Sequence, residues 1–125
     1  MSRLRSTIVV VMVAGAMAAS GCSRLPAQSV VGDPVVGHVL VGRFACGSCH
    51  AIPGVEHAQG LVGPDLAGIG ERSMIAGVLP NTPADMIAWL QSPQSVTPGN
   101  AMPDEGLTRV QAANIAAYLY TLRGR

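Results

Sequence analysis

The chain contains no lysine. Its positive charge comes from eight arginines, two of which, Arg3 and Arg5, sit at the extreme N-terminus. From Cys22 onward six arginines face seven acidic residues, which leaves that stretch at −1. Phosphate backbones are bound by basic surfaces, so a nucleic-acid partner does not fit this chain. Long-range charge steering of a protein partner is equally disfavoured. Aromatics are scarce as well: one Trp, two Tyr and one Phe in 125 residues. A single domain of this size buries a modest core, and small domains often complete it with a staple or a cofactor. No segment alternates with the period of a strand, no βαβ pattern occurs, and there is no internal repeat. The apolar run at residues 8–19 is too short to cross a bilayer as a helix.

What that run does have is a positive flank in front of it. Arg3 and Arg5 followed by residues 8–19 have the shape of a secretory signal peptide. The next four residues, Ala19-Ser20-Gly21-Cys22, resemble a bacterial lipobox, with Ala19 where leucine is usual. That resemblance implies that Cys22 is lipid-modified and becomes the mature N-terminus. Cleavage after Ala18 or Ala19, leaving Cys22 a free thiol, is the alternative. The expected organisation is a lipoprotein-type signal at 1–21, a flexible tether at 22–32 and one folded domain at 33–125. The tether reading rests on the missing helical period and on Pro26, Gln28 and Ser29. Such a chain is exported to the periplasmic side of a bacterial membrane and held there by lipid.

The central stretch is Cys46-Gly47-Ser48-Cys49-His50, a C-x-x-C-H sequence. This is the attachment signal for a covalent c-type haem. Two thiols at this spacing can add to the two vinyl groups of one porphyrin, and the following histidine is then held under the iron. A thioredoxin-like redox pair would need a βαβ context. A structural zinc site would need a second ligand pair, and none exists.

The helices announce themselves through their ends. Asp33-Pro34 is an N-cap followed by proline at the first position, so a helix is expected over 34–44. Residues 52–70 are rich in Gly and Pro and read as loop, and a short helix is expected at 71–77. Thr82-Pro83 with Asp85 begins another helix, on which Met86, Trp89 and Leu90 share one apolar face. Ser92-Pro93 stops it, and 96–106 is expected as an extended loop. Thr108 with Gln111 opens the last helix, whose buried stripe is Ile115, Tyr118, Leu119 and Leu122, and which Gly124 ends. The fold class is all-α around one haem.

An iron ligated by His50 has a second axial position. Met74, Met86, Met102, His38 and His57 are the candidates. Met102 lies in a loop far from His50 in sequence and can approach the opposite face of the ring, stiffened by Pro103. Met86 shares a helix face with Trp89, where packing is its expected role. His57 is seven residues from His50, too near to cross easily to the other side.

At this point the chain resembles the class I cytochromes c. The matching residues are the Cys46–His50 motif, Gly63-Pro64-Asp65-Leu66, Met102-Pro103 and Ala117-Tyr118-Leu119. The stretch from Gly77 through Trp89-Leu90, Pro93-Gln94 and Pro98 to Pro103 is similar to the cytochrome c domain fused to subunit II of caa-type cytochrome c oxidases. The resemblance implies that His50 and Met102 are the metal ligands. It implies that the Pro64 carbonyl supports the His50 ring, that Gly37 packs on the final helix near Tyr118, and that Arg72 and Trp89 donate to haem propionates. Val41 stands where the family usually has an aromatic. The iron pocket is expected to be lined by Pro64, Leu66, Trp89 and Leu90 rather than by charges. With both axial positions filled, iron changes valence and binds no small-molecule substrate. The implied function is electron transfer to redox protein partners, with a terminal oxidase first and a periplasmic dehydrogenase second. An open-site haem enzyme or gas sensor would require Met102 not to be a ligand, and no distal acid–base pair is evident.

Overall fold

The computed structural model describes residues 32–124, and within them every long helix begins where its cap does. Helix α1 is Pro34–Arg43, with the Asp33 carboxylate accepting from the N–H groups of Val35 and Val36. Helix α2 is Pro83–Gln91, capped by Thr82, whose hydroxyl accepts from the Asp85 N–H at 3.1 Å. Helix α3 is the single turn Pro93–Val96. Helix α4 is Arg109–Leu119, opened by a complete capping box between Thr108 and Gln111. The expected signal, most of the tether and Cys22 lie outside the described residues.

The core forms where α1, α2 and α4 meet. Leu40 and Val41 of α1, Met86, Ile87 and Leu90 of α2, and Ala112, Ile115, Ala116 and Leu119 of α4 are buried together. A fully buried Ile or Leu contributes about 1.5–3 kcal/mol. Small residues let α1 and α4 cross closely. A Cβ on Gly37 would fall on the backbone carbonyl oxygen of Asn114 and 2.9 Å from Tyr118 Cβ. The Asp33 N–H donates to Asn114 Oδ1 at 2.8 Å, which ties the start of α1 to the same place. Val41, where an aromatic was expected from the resemblance, is buried to 1% exposure.

Three expectations need correction. Residues 71–77 are not a helix. A 3₁₀ turn covers Ile69–Glu71, and a two-residue antiparallel ladder follows, β1 (Met74–Ile75) paired with β2 (Leu79–Pro80). The reason lies in Asn81. Its amide donates to the carbonyls of Ile69 and Arg72, each at 2.8 Å, and so takes acceptors that a helix would have used. Ala76 and Gly77, both with positive φ, then turn the chain back. The fold is therefore mostly helical with one very small sheet. Helix α2 ends at Gln91, before Ser92-Pro93 as expected, but Pro93 starts a further helical turn, so the extended loop expected at 96–106 begins at Thr97. Finally, α4 stops at Leu119, five residues before Gly124. Tyr120 is its C-cap, and the Thr121 hydroxyl donates to the Tyr118 carbonyl at 2.6 Å, taking an acceptor of the last turn.

Candidate functional site

The end of α1 delivers the C-x-x-C-H motif. Phe44 caps the helix, Ala45 takes a left-handed conformation at φ 52°, and a 3₁₀ turn runs over Cys46–Ser48. The His50 N–H donates to the Cys46 carbonyl at 3.0 Å, which fixes the histidine relative to the first cysteine. The Gly63 N–H donates to the Cys49 carbonyl at 2.7 Å and brings the Gly63-Pro64 segment against the imidazole. A Cβ on Gly63 would fall on the His50 ring, 2.6 Å from Nδ1, so glycine is what permits this approach. His50 Nδ1 lies 2.7 Å from the Pro64 carbonyl oxygen. A carbonyl only accepts, so Nδ1 carries the proton and Nε2 keeps a free lone pair suited to a metal.

A cavity of about 720 Å³ opens beside this motif. Ligand pockets commonly measure ~300–1,000 Å³, so a large flat group fits. Cys46, Cys49 and His50 line it together with Met102, Trp89 and Leu90. Pro64, Leu66 and Arg72 also border it, so every site residue expected within the described residues converges on one cavity. His38 and His57 do not line it. His38 places Nε2 2.9 Å from the Gly54 carbonyl oxygen, and its ring meets Tyr118 edge-on at 5.0 Å. Two charges do lie on the wall, Arg72 and Glu105, contrary to the expectation of an uncharged lining. Arg72 is held by loop carbonyls: its Nη2 donates to those of Asp65 at 2.5 Å and Ala67 at 3.0 Å. Burial pushes the Cys46 thiol above its ordinary pKa, with the nearby Glu105 charge adding to the effect.

Three methionines reach the cavity, and their settings differ. Met86 is buried on α2 within the core. Met74 sits on β1 and is 43% exposed. Met102 sits in a loop held by polar groups that sequence reasoning had not assigned. Gln94 Nε2 donates to the carbonyls of Asn100 at 2.9 Å and Met102 at 2.7 Å. The Asn100 side chain accepts from the Met102 N–H at 2.7 Å and donates to the carbonyls of Pro93 and Thr97. The backbone of Met102 is therefore pinned on both sides of its Cα. The signal for this was a Gln and an Asn flanking a Pro/Gly-rich loop, but their partners are set by the fold.

Comparison with known proteins bears on this geometry. The family model for Cytochrome c matches residues 37–123. The chain belongs to the cytochrome c family. Three curated relatives are cytochrome c oxidase subunits 2. That of Bacillus sp. (strain PS3) is 36% identical over 102 residues, covering 77% of this chain and 28% of the relative. That of Bacillus subtilis (strain 168) is 42% identical over 68 residues, covering 53% of this chain and 19% of the relative. The chain thus spans at most 28% of the length of the curated relatives it matches. Among solved structures, cytochrome c2 from Rhodobacter sphaeroides superposes with a TM-score of 0.56 at 21% identity. That match covers 75% of this chain and 98% of the other, and it shows the shared fold.

The residues present fit the covalently attached haem c of a cytochrome c. Cys46 and Cys49 supply the two thiols, and the cavity beside them is large and mostly apolar. Bound there, haem c supplies a one-electron valence change at its iron. The cytochrome is an electron carrier rather than an enzyme.

Proposed function

We propose that this cytochrome is a lipid-tethered carrier that delivers single electrons to a terminal oxidase of a respiratory chain. The observation that carries the reading is the set of oxidase subunit 2 relatives, in which the matching part is a small share of a larger protein. Here the same domain follows a signal-like segment and Cys22. A lipid on Cys22 keeps the domain near its partner, through effective concentration.

His50 and Met102 are the axial ligands in this reading. The pinned loop of Met102 supports the choice over Met74, which is 43% exposed on a two-residue strand. Pro64 orients the His50 ring. Arg72 first braces the Asp65–Ala67 loop, and its remaining N–H groups together with the Trp89 indole N–H serve the haem propionates. Electrons leave through the cavity mouth, where Val62 and Met74 are exposed.

The test is deletion of the gene, followed by oxygen consumption and substrate oxidation in membranes. Loss of oxidase-dependent respiration with dehydrogenase activity intact supports delivery to an oxidase. Loss of one dehydrogenase with normal oxidase turnover contradicts it.

A further inference from the structure

Helix α1 is apolar on nearly every side, yet the domain covers only one of them. Gly37, Leu40 and Val41 face the core. Val35, Val36 and Val39 point outward at 74%, 42% and 64% exposure. A helix that is hydrophobic all round is normally buried all round. An outward face of a soluble helix carries charges, and this one carries valines. Arg43 follows Val39 by four residues, on the same side of the helix, and has no carboxylate partner among the described residues. Arg43 is the one charged side chain within Pro34–Arg43.

We infer that this outward face of α1 is a membrane-contact surface, with Val35, Val36 and Val39 at the acyl–headgroup boundary and Arg43 reaching lipid phosphate. The inference rests on the tethered reading of Cys22. Two arguments choose a bilayer over a protein. The first is area: three valines fall far short of the ~800 Å² per partner that a stable protein interface buries. A lipid surface needs no such area when a tether already holds the domain beside it, because a weak second contact acts at high effective concentration. The second is chain length. Eleven residues separate Cys22 from Pro34, so the first turn of α1 is the part of the fold nearest in sequence to the expected anchor. Amphipathic helices that lie on bilayers sink their apolar side ~5–10 Å and keep cations at the phosphate level.

The geometry gives this contact a consequence. Val41 lines the cavity. It lies two positions from Val39, about 160° round a helix of 3.6 residues per turn. Resting on the outward face of α1 therefore turns the Val41 side, and the cavity with it, away from the lipid. The mouth stays free for a redox partner.

The experiment uses the full mature holoprotein in vesicles of phosphatidylethanolamine and phosphatidylglycerol. A photoreactive benzoyl-Phe is placed at Val39 in one variant and at Leu61 in another, since Leu61 is 92% exposed and adjoins the cavity-lining Val62. Unchanged haem absorption verifies that each variant is folded. After irradiation, Val39→benzoyl-Phe is expected to form about tenfold more lipid adducts than Leu61→benzoyl-Phe, equivalent to ~1.4 kcal/mol of orientational preference. The double substitution Val35→Asp and Val36→Asp in the Val39 variant should remove that excess. Equal adducts at both positions, an excess at Leu61, or adducts to a second copy of the chain would overturn the inference. Intact mass separates this from the tether. A diacylated chain without the excess overturns the contact face and leaves the tether standing. An unacylated chain that still shows the excess overturns the tether and leaves the face.

Discussion

At the scale of single residues, the site depends on how few conformations its proposed ligands are allowed. His50 is fixed by one carbonyl, that of Pro64, and by the bare backbone of Gly63. Met102 is fixed by Gln94 and Asn100. Replacing Met102 with alanine should abolish the thioether absorption near the red end of the oxidised spectrum, lower the potential and allow carbon monoxide to bind. Persistence of that band would transfer the role to Met74 or Met86. Gln94→Ala should keep the band at room temperature but weaken its hold. Losing hydrogen bonds to two partly buried carbonyls costs about 1–3 kcal/mol, so the band should disappear on warming several degrees before the wild-type band does. A second residue-scale effect concerns alkali. Burial, with a smaller push from Asp85, raises the Tyr120 hydroxyl from 10.0 to about 12. Its neutral form also donates to Asn81 Oδ1 at 2.7 Å. A raised folded-state pKa stabilises the fold fully below pH 10, and that contribution is lost as pH rises from 10 to 12. Melting temperature against pH should fall more steeply over this window in the wild type than in Tyr120→Phe.

At the scale of elements, the contact of α1 with α4 carries the architecture. Gly37→Ala places a methyl group onto the Asn114 carbonyl and against Tyr118, and neither backbone can yield alone. Overpacking of this kind costs about 1–3 kcal/mol or somewhat more. Chemical denaturation should show a lower midpoint of that size, with the haem motif itself unaltered. This contact was expected before the structure from the resemblance to class I cytochromes c, which implied that Gly37 packs on the final helix near Tyr118. The three long helices were readable from their caps. Asp33, Thr82 and Thr108 bond to N–H groups two or three residues away, so the information is local. The β1–β2 hairpin was not readable. Its cause is Asn81 holding carbonyls nine and twelve residues back, a choice that the fold makes and no short window reveals. The same holds for Gln94. Its partners lie six and eight residues onward in a loop without period, so the sequence shows the ligand loop but not what holds it. The Cys46–His50 motif was legible because attachment chemistry fixes its spacing whatever the surroundings.

At the scale of the whole molecule, the lack of lysine becomes a statement about kinetics. The residues from Cys22 carry a net charge near zero, six arginines against seven carboxylates. One ion pair, Glu71 with Arg123 at 3.7 Å, joins two of these charges on the surface. The exposed residues that line the cavity are apolar at Val62 and Met74 and oppositely charged at Arg72 and Glu105, and the exposed Leu61 adjoins Val62. A partner therefore meets a largely apolar rim whose two charges, Arg72 and Glu105, offset each other, so the field is weak. Steered protein pairs reach ~10⁸–10⁹ M⁻¹s⁻¹ at low salt and slow steeply as ions are added. An apolar rim gains nothing from low salt, since its attraction is released water rather than charge. The proposed tether would remove the remaining need for steering by keeping the carrier close to its partner. Electron transfer to the proposed oxidase partner should consequently change by less than about threefold between low and physiological ionic strength, where the Debye length contracts from ~30 Å to ~8 Å. Stopped-flow rates with the full tethered cytochrome in vesicles test this. A decline of orders of magnitude would mean that a charged surface of the partner reads Arg43, Arg72 or Arg109. Substituting Leu61 and Val62 with serine should slow transfer at every salt concentration alike, which is the signature of a lost apolar contact.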